Sequence, residues 1–281
     1  MIRIDPHAHT IHSDGTDTPS GLIGAAKDAG LDYVGISDHD TTAGWNEAIT
    51  AAKKAGVGLI PGVEFSAQWQ GRPVHVLGLL VDPTYEPLQR EFLDAQKSRS
   101  QRLARMVAKM LDDFPGLTWE NVEARANGAP LGRPHLADEL VELGYVPNRS
   151  EAFKVILNPA GPYWERQRTL PPREAVELIR SAGGVPILAH PQATRRGRPV
   201  PQEVVQEMVE AGLFGLERDH RDHDEDDRAE VERLAEHFGL PVTGGSDYHG
   251  LGKPNRLGEN LTDEEVFEQI RSQGAIGVIE P

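Results

Sequence analysis

The chain has no cysteine among its 281 residues. Disulfides and thiolate metal sites are therefore excluded, and any transition-metal site must use histidine, aspartate and glutamate. The lack of disulfides fits a cytoplasmic protein, which is the location that we expect. The sequence also lacks a run of about 18 apolar residues and a basic segment followed by an apolar one at its start, so we expect neither a membrane span nor a signal peptide.

Positive charge is scarce. Lysine and arginine number 29 against 44 aspartates and glutamates, which gives a formal net charge of −15. This balance argues against a broad basic surface for duplex DNA or RNA. A small anionic substrate remains compatible with it, because bound divalent cations invert the local field. We see no feature that requires an obligate protein partner.

Strand and helix patterns alternate in two parts of the chain, residues 1–82 and residues 171–281. Short apolar runs predict strands at residues 2–4, 33–36, 57–60, 74–81, 185–188, 213–216, 240–243 and 275–279. Thr18-Pro19 supplies an N-cap and a first-turn proline for the first helix between them. This alternation with short loops predicts parallel strands in an open sheet or a barrel.

The pattern breaks between residues 83 and 170, where we find no convincing strand. A long charged helix over residues 86–112 is followed by short helical stretches separated by glycine, proline and asparagine. We therefore expect a helical insertion that covers one end of the sheet and contributes to substrate binding.

Two histidines follow the first predicted strand. His7 and His9 are one residue apart, so in an extended chain their side chains point to the same face. Asp14 follows in a turn marked by Ser13 and Gly15, close enough to reach the same cavity. Two neighbouring imidazoles at a strand end are suited to holding one divalent metal ion.

Further candidate ligands follow other predicted strands. They are His39, Glu64, His75, His190, Asp247 and His249. Because a barrel presents the C-terminal ends of its strands at one face, this distribution favours a (β/α) barrel over a doubly wound sheet. His75 is an exception near a strand start, so that strand begins earlier or runs opposite to its neighbours. Six histidines and three carboxylates suit three ions, with Glu64 bridging two, and favour Mn, Fe or Zn over Ca or Mg.

Six motifs in order, DPHAHTIHSDGT, ISDHDT, GVEFS, VHVLGL, LAHP and GGSDYHG, together resemble the polymerase-and-histidinol-phosphatase (PHP) family of metal-dependent phosphoesterases. The resemblance implies a distorted (β/α)7-type barrel formed by residues 1–82 and 171–281. It also implies three divalent ions, Mn²⁺ or alternatively Fe or Zn. One ion would be held by His7, His9, Glu64 and Asp247, the second by Glu64, His75 and His190, and the third by Asp14, His39 and His249.

The resemblance implies an enzyme that hydrolyses phosphate monoesters by a hydroxide that the ions generate from water. Asp14, His39 and His249 would be catalytic through the third ion. Within the family the chain is similar to nucleotide phosphatases, whose substrates are the 3′-phosphate of 3′,5′-bisphosphonucleotides, AMP or short oligonucleotide ends.

The insertion offers candidate phosphate-binding residues. The stretch SRSQRLARM places Arg99, Arg102 and Arg105 at helical spacing. Arg133 and His135 open a later helix, where free N–H groups and the helix dipole favour an anion. By resemblance to the nucleotide phosphatases, we expect Arg102, Arg105, Arg133 and His135 to bind substrate.

Three alternatives remain open at this point. A histidinol phosphate phosphatase is a second enzyme of the same family, and a non-catalytic metal-binding PHP module would need a fused polymerase. An amidohydrolase-type barrel commonly needs a lysine at a strand end, which we do not find.

The run 218–228 is predicted to be a solvated loop and helix start. His220 and His223 within it receive no role, and Arg218 and Asp219 depart from the pattern of the similar subgroup.

Overall fold

The computed structural model describes residues 2–126 and 130–281. The chain forms two compact units, one from Met1–Arg90 together with Leu170–Pro281 and one from Glu91–Thr169. In the described part of the chain, no helix combines the length and the apolar character needed to cross a membrane. The strands belong to the first unit, and the second unit is helical.

The first unit is built on a sheet of seven strands. They are β1 (Ile4–Asp5), β2 (Tyr33–Ile36), β3 (Gly58–Trp69), β4 (Arg72–Leu79), β5 (Val185–Leu188), β6 (Gly215–Asp219) and β7 (Val242–Gly244). They neighbour one another in chain order, and all pairs are parallel except that β4 is antiparallel to β3 and β5. A parallel bridge between Ala8 and Tyr248 joins the segments that follow β1 and β7. The sheet is thus a nearly closed barrel, which confirms the predicted distorted (β/α)7-type fold.

Ten α-helices are found among the described residues. They are α1 (Pro19–Asp28), α2 (Trp45–Ala55), α3 (Glu86–Met110), α4 (Trp119–Ala126), α5 (Arg133–Glu142), α6 (Arg149–Glu151), α7 (Pro172–Ser181), α8 (Gln202–Glu210), α9 (Glu225–Phe238) and α10 (Glu264–Gln273). The start of α1 is as predicted, because the Thr18 hydroxyl accepts the Gly21 N–H at 3.0 Å and Pro19 is the first helical residue.

The barrel core consists of apolar side chains from the strands and from α10. Every residue of β2 and β5 is buried, which is the reason that both strands are continuous apolar runs in the sequence. One cluster of this core contains Ile4, Tyr33, Ile60, Leu77, Leu79, Leu80, Val185, Ile187, Ala189, Phe214, Phe267 and Ile270. This packing fixes the strand ends, where the candidate ligands lie.

The third strand is longer than predicted. The prediction ended it at residue 60, before Pro61-Gly62, whereas β3 continues to Trp69. Proline lacks an N–H, but the Pro61 carbonyl still accepts the Leu80 N–H at 2.7 Å, so the strand is not interrupted. Gln70 and Gly71, with φ of 47° and 82°, then form a tight hairpin into β4. Strand β4 begins at Arg72, earlier than predicted, and is antiparallel to β3 and β5. Because of this direction, His75 lies near the start of its strand and not near its end.

Two predicted strands at the end of the chain need correction. Residues 275–279 do not form a strand, and only one antiparallel bridge joins Ile279 to Leu59. The sixth strand is Gly215–Asp219 instead of 213–216, so Glu217 lies inside it. In the final apolar run, 275–279, Gly277 interrupts the sequence and Gly274 precedes it, and both weaken its tendency to form a strand.

The second unit has its own apolar core. The long helix α3 supplies Leu103, Met106, Val107 and Met110 to it, and residues of α4 and α5 pack against them. No strand occurs in residues 91–126 or 130–169, in agreement with the sequence pattern. The segment after α6 continues as a π-helical turn, Ala152–Ile156, in a part of the chain for which the sequence predicts short helical stretches.

Candidate metal centre

The first group of possible ligands consists of His7 and His9 after β1, Glu64 on β3 and Asp247 after β7. The Nε2 atom of His9 is 3.2 Å from His7 Nε2, 3.1 Å from Glu64 Oε2 and 3.3 Å from Asp247 Oδ1. All four side chains are almost fully buried. The two histidines therefore face one point, as their spacing along an extended chain predicts.

Glu64 lies at the centre of a second group with His39 and His75. Its two oxygens face different rings, since Oε1 is 2.8 Å from His75 Nδ1 and Oε2 is 3.3 Å from His39 Nδ1. His190 lies outside this group but contacts the same carboxylate, with its Nε2 3.1 Å from Oε1. A carboxylate shared in this way is placed to bridge two ions.

The third group contains His9, Asp14, His39 and His249. Asp14 Oδ1 is 3.1 Å from His249 Nε2 and 3.9 Å from His39 Nε2. Asp14 is 19 % exposed and His39 13 %, while His9 and His249 are buried. Of the other candidate ligands, His75 is 26 % exposed, so solvent reaches the cluster both at Asp14 and at His75. With this group, all nine predicted ligands lie in one connected cluster.

The geometry fits divalent ions. Nitrogen and oxygen atoms that share an ion with bonds of about 2.1 Å lie roughly 3.0–3.4 Å apart, and the distances around His9 Nε2 fall in this range. Three buried ring nitrogens lie 2.8–3.3 Å from a carboxylate oxygen but form no hydrogen bond with any described residue: His39 Nδ1, His75 Nδ1 and His249 Nε2. A buried nitrogen without a partner is costly, and a bound ion would satisfy it.

The orientation of His7 depends on Glu217, which our sequence analysis did not select. His7 Nδ1 donates to Glu217 Oε1 at 2.8 Å, and the other oxygen accepts the backbone N–H of His190 at 2.9 Å. His7 therefore presents Nε2 to the first group, as in a carboxylate–histidine–metal arrangement. A Cβ at residue 245 would lie 2.4 Å from Glu217 Oε1, so only Gly245 fits beside this pair.

A second buried carboxylate, Asp38, fixes the loop that carries His9 and Asp14. It accepts hydrogen bonds from the Thr10 backbone N–H at 2.7 Å, the Thr10 hydroxyl at 2.6 Å and the Ser13 hydroxyl at 2.6 Å. These bonds hold the turn between the two ligands. The signal in the sequence was the acidic residue beside His39 in the motif SDHD.

The prediction that residues 218–228 are solvated is wrong for both histidines in the run. His223 is 3 % exposed, donates from Nδ1 to the Arg218 carbonyl at 2.7 Å and accepts the Gln192 N–H at Nε2. It therefore ties the loop after β6 to the loop after β5. The alternation of charged residues concealed this burial, because it resembles a solvated surface.

His220 is fully buried and acts on Asp247. Its Nδ1 accepts the Asp222 backbone N–H at 3.0 Å, so the neutral ring carries its proton on Nε2. That Nε2 lies 3.4 Å from Asp247 Oδ2, on the side away from the first group. His220 thus supports a candidate ligand from behind.

In the cluster without ions, contacts between histidines and carboxylates shift the pKa values of both. Burial alone would lower the pKa of His9, but hydrogen bonds to Asp247 and Glu64 outweigh it and raise the pKa to about 9. For Glu64, burial would raise the pKa, whereas the neighbouring histidines His75, His39 and His7 hold it well below its usual value. Metal ions would replace these protons as the counter-charge of the carboxylates.

In the second unit, Arg102 is half-buried and forms no ion pair with a carboxylate of the described residues. Its guanidinium lies 4.2 Å from the centre of the Trp164 ring, and Nη1 donates to Gln167 at 3.1 Å. Its Nε and Nη2 are buried with no hydrogen bond to the described residues. Burial and the nearby charges of Arg133 and Arg99 lower its pKa to about 9.

Arg133 stacks on the same indole. Its guanidinium is 4.9 Å from the Trp164 ring and 5.0 Å from the Phe153 ring, and Nη1 donates to the Leu157 carbonyl at 3.5 Å. Burial and the charge of Arg99 lower its pKa to about 10. The second unit therefore holds two half-buried arginines side by side, an arrangement that an anion would stabilise.

The other two residues predicted to bind substrate are engaged within the second unit. Arg105 donates to Glu165 at 3.0 Å and to the Arg166 carbonyl at 3.0 Å. His135 accepts the Gly132 N–H at 3.1 Å through Nδ1 and so caps the start of α5. The Arg105 guanidinium and the Nδ1 atom of His135, both from residues predicted to bind substrate, therefore have hydrogen-bond partners within the protein.

A family model described as the PHP domain matches residues 5–142. Two relatives match most of the chain. One is a 5′-3′ exoribonuclease from Haemophilus influenzae, 33% identical over 92% of this chain and 94% of the relative. The other is a 3′,5′-nucleoside bisphosphate phosphatase from Chromobacterium violaceum, 30% identical over 91% of this chain and 90% of the relative.

A solved structure is also similar. It comes from Bifidobacterium adolescentis and is described as a candidate metal-dependent phosphoesterase. The two chains superpose with a TM-score of 0.93 at 39% sequence identity, over 97% of this chain and 96% of the other. The likeness therefore extends over both units of the chain.

Proposed function

The chain belongs to the PHP family of metal-dependent phosphoesterases, and from this premise we propose that it hydrolyses phosphate monoesters of small nucleotides. The substrates that we propose are 3′,5′-bisphosphonucleotides, AMP and short oligonucleotide ends. One observation carries the proposal: three groups of histidines and carboxylates share members, and Glu64 connects two of them.

We assign the ligands as the sequence predicted. His7, His9, Glu64 and Asp247 hold one ion; Glu64, His75 and His190 a second; Asp14, His39 and His249 a third. The first set coincides with a group that could hold an ion, and the other two overlap with such groups. The donor set favours Mn²⁺, with Fe or Zn as alternatives.

Bound ions would supply a Lewis acid for the phosphoryl oxygens and a hydroxide at neutral pH. Glu64 fixes the spacing of two ligand groups through its two oxygens, and Glu217 orients His7. Asp14 and His39 are partly exposed, so an entering phosphate meets them, and the buried His249 lies 3.1 Å from Asp14. For this reason we keep them as the catalytic residues.

Arg102 and Arg133 support a substrate that carries a second phosphate. Both are half-buried in the helical unit and lie against Trp164, and arginine is suited to bidentate phosphate binding. Of the two relatives to which the chain is similar, one is named a 3′,5′-nucleoside bisphosphate phosphatase and the other a 5′-3′ exoribonuclease. Arg105 and His135 remain predicted substrate residues, with the contacts given above.

The test compares the metal-loaded enzyme with Asp14→Ala and His249→Ala. We expect each substitution to reduce hydrolysis at least about 100-fold, because each removes a ligand directly, while the far-ultraviolet circular dichroism stays unchanged. Asp226→Ala and His237→Ala, which alter exposed residues of α9, serve as controls with wild-type turnover. Unchanged turnover in Asp14→Ala or His249→Ala would contradict the proposal.

The substrate is tested with the same preparations. We expect 3′-phosphoadenosine 5′-phosphate, AMP and a short RNA to be hydrolysed in preference to histidinol phosphate. Arg102→Gln is expected to raise KM about tenfold for the bisphosphonucleotide, with a smaller effect on AMP, since only the former carries two phosphates. A preference for histidinol phosphate would favour the alternative member of the family.

A further inference from the structure

The two oxygens of Asp247 have different surroundings. Oδ1 faces the candidate ligands His7, His9 and His249 at 3.3–3.5 Å. The other oxygen, Oδ2, accepts hydrogen bonds from Arg196 at 2.6 Å and from Lys253 at 3.0 Å, and it lies 3.4 Å from His220 Nε2. Two cations therefore contact the carboxylate of a residue that we assign to the first ion. This is a larger positive charge than one carboxylate can neutralise.

Arg196 has a second acidic partner. Its Nε donates to Asp222, while its Nη2 donates to Asp247. The guanidinium is thus fixed between two carboxylates, and both of its charged contacts are satisfied within the protein. We interpret Arg196 as a positioning residue for Asp247.

Lys253 differs from Arg196 in its partners. Among the described residues, Asp247 is the only group with which Lys253 forms an ion pair or a side-chain hydrogen bond. An ammonium group has three N–H donors, so two remain for other acceptors. The Lys253 side chain is 32 % exposed while that of Asp247 is 1 % exposed. The ammonium therefore lies where the buried cluster meets solvent.

The backbone around Lys253 is anchored on both sides. The Leu251 N–H donates to the Thr16 hydroxyl at 2.7 Å, and the buried Asn255 side chain donates to the Ser246 carbonyl at 2.7 Å. Thr16 follows the ligand Asp14, and Ser246 precedes the ligand Asp247. Lys253 is consequently held at a fixed place beside two segments of the cluster.

We propose that Lys253 binds a non-bridging oxygen of the phosphoryl group that is hydrolysed. The inference rests on the proposed phosphoesterase function and adds a substrate-contacting residue to it. When Asp247 ligates an ion, its negative charge is shared with that ion and compensates Lys253 less. An anionic phosphate at the cluster then supplies the missing counter-charge, and the free N–H groups of the ammonium are its donors.

The test measures phosphate binding directly. Manganese-loaded wild type, Lys253→Met, Lys253→Arg and the control Lys54→Met, which alters an exposed lysine of α2, are titrated with inorganic phosphate in a calorimeter. Metal content is determined on the same samples by mass spectrometry. We expect Lys253→Met to weaken phosphate binding about tenfold with unchanged manganese content, Lys253→Arg to retain most of the affinity, and Lys54→Met to match wild type.

Two results would overturn the inference. Wild-type phosphate affinity in Lys253→Met would show that the ammonium does not contact the anion. Loss of manganese from Lys253→Met would show that Lys253 only supports Asp247. Hydrolysis by the wild type is assayed in parallel, so a failure of the proposed function, seen as no turnover of any phosphate ester, is distinguished from a failure of the role of Lys253.

Discussion

Glu217 determines which nitrogen of His7 is available to an ion. Its two oxygens accept one N–H each, from the His7 ring and from the His190 backbone. A carboxylate has two acceptor oxygens, so each of these N–H groups has an acceptor of its own. The carboxylate therefore couples two predicted ligands that come from different strand ends.

We expect Glu217→Gln to weaken manganese binding about 10- to 100-fold. The amide has one acceptor oxygen, so one of the two N–H groups would face an NH2 group instead, and the negative charge that fixes the ring is lost. Manganese titrations followed by calorimetry measure the effect. Glu236→Gln, on the exposed face of α9, is the matched control. Equal affinities in both variants would show that Glu217 has no influence on the ligands.

At the scale of single residues, the sequence predicted nine candidate ligands, which the structure brings into one cluster, but it did not predict Glu217 beside them. Histidines at strand ends are unusual enough to be noticed, and their convergence follows from the barrel. Glu217 was missed because β6 was predicted to begin two residues too early, at residue 213 instead of Gly215. Glu217 then lay just after the predicted strand, where a carboxylate is common. A carboxylate within an apolar strand must be paired when buried, and that rule was the signal available.

Among the elements, the hairpin of β3 and β4 has the largest effect on the site. It carries Glu64 and His75 on adjacent antiparallel strands, and this pairing brings Glu64 Oε1 within 2.8 Å of His75 Nδ1. The sequence predicted β2 and β5 residue for residue, because each is a short apolar run with clear ends. It did not predict the length of β3, since Pro61-Gly62 resembles a strand end and hydrogen bonding to Leu80 decides otherwise.

The hairpin turn offers a stability test with an internal reference. Gly71 has φ of 82° with no atom close to an added Cβ, so Gly71→Ala is expected to cost about 1 kcal/mol through backbone strain alone. Gly24, exposed within α1 and equally open, should show the opposite sign, with Gly24→Ala stabilising by about 0.5–1 kcal/mol. Urea unfolding of the two variants measures both effects. Two changes of the same sign would contradict the assigned backbone conformations.

For the whole molecule, the acidic composition and the metal cluster are linked. Part of the net charge of −15 belongs to carboxylates that lie at the cluster. Divalent ions would neutralise them, so metal binding contributes to the stability of the folded protein as well as to its chemistry.

The sequence predicted the barrel and its helical interruption. Both predictions depend on whether strands and helices alternate over a long segment, and errors of a few residues at strand ends do not alter that pattern.

The pH dependence of stability should therefore differ between the ion-free and the metal-loaded protein. In the ion-free protein, burial lowers and hydrogen bonds to Asp247 and Glu64 raise the pKa of His9, from 6.5 to about 9. A raised histidine pKa stabilises the folded state fully below pH 6.5, and the contribution is lost as the pH rises through about 9. We expect a loss on the order of 3 kcal/mol over this range. The lowered pKa of Glu64 affects the stability of the folded state only at acidic pH, below this range.

With manganese the trend is expected to reverse. An ion binds the deprotonated imidazole, so protons compete with it less as the pH rises, and the increase in Tm caused by manganese should grow from pH 6.5 to pH 9. Thermal unfolding of chelator-treated and manganese-loaded protein at intervals across this range measures both trends. His237→Ala, at an exposed site on α9, should reproduce the wild-type profiles. A manganese effect on Tm that is independent of pH would mean that the ions do not displace protons from these histidines, and the cluster would then not be their binding site.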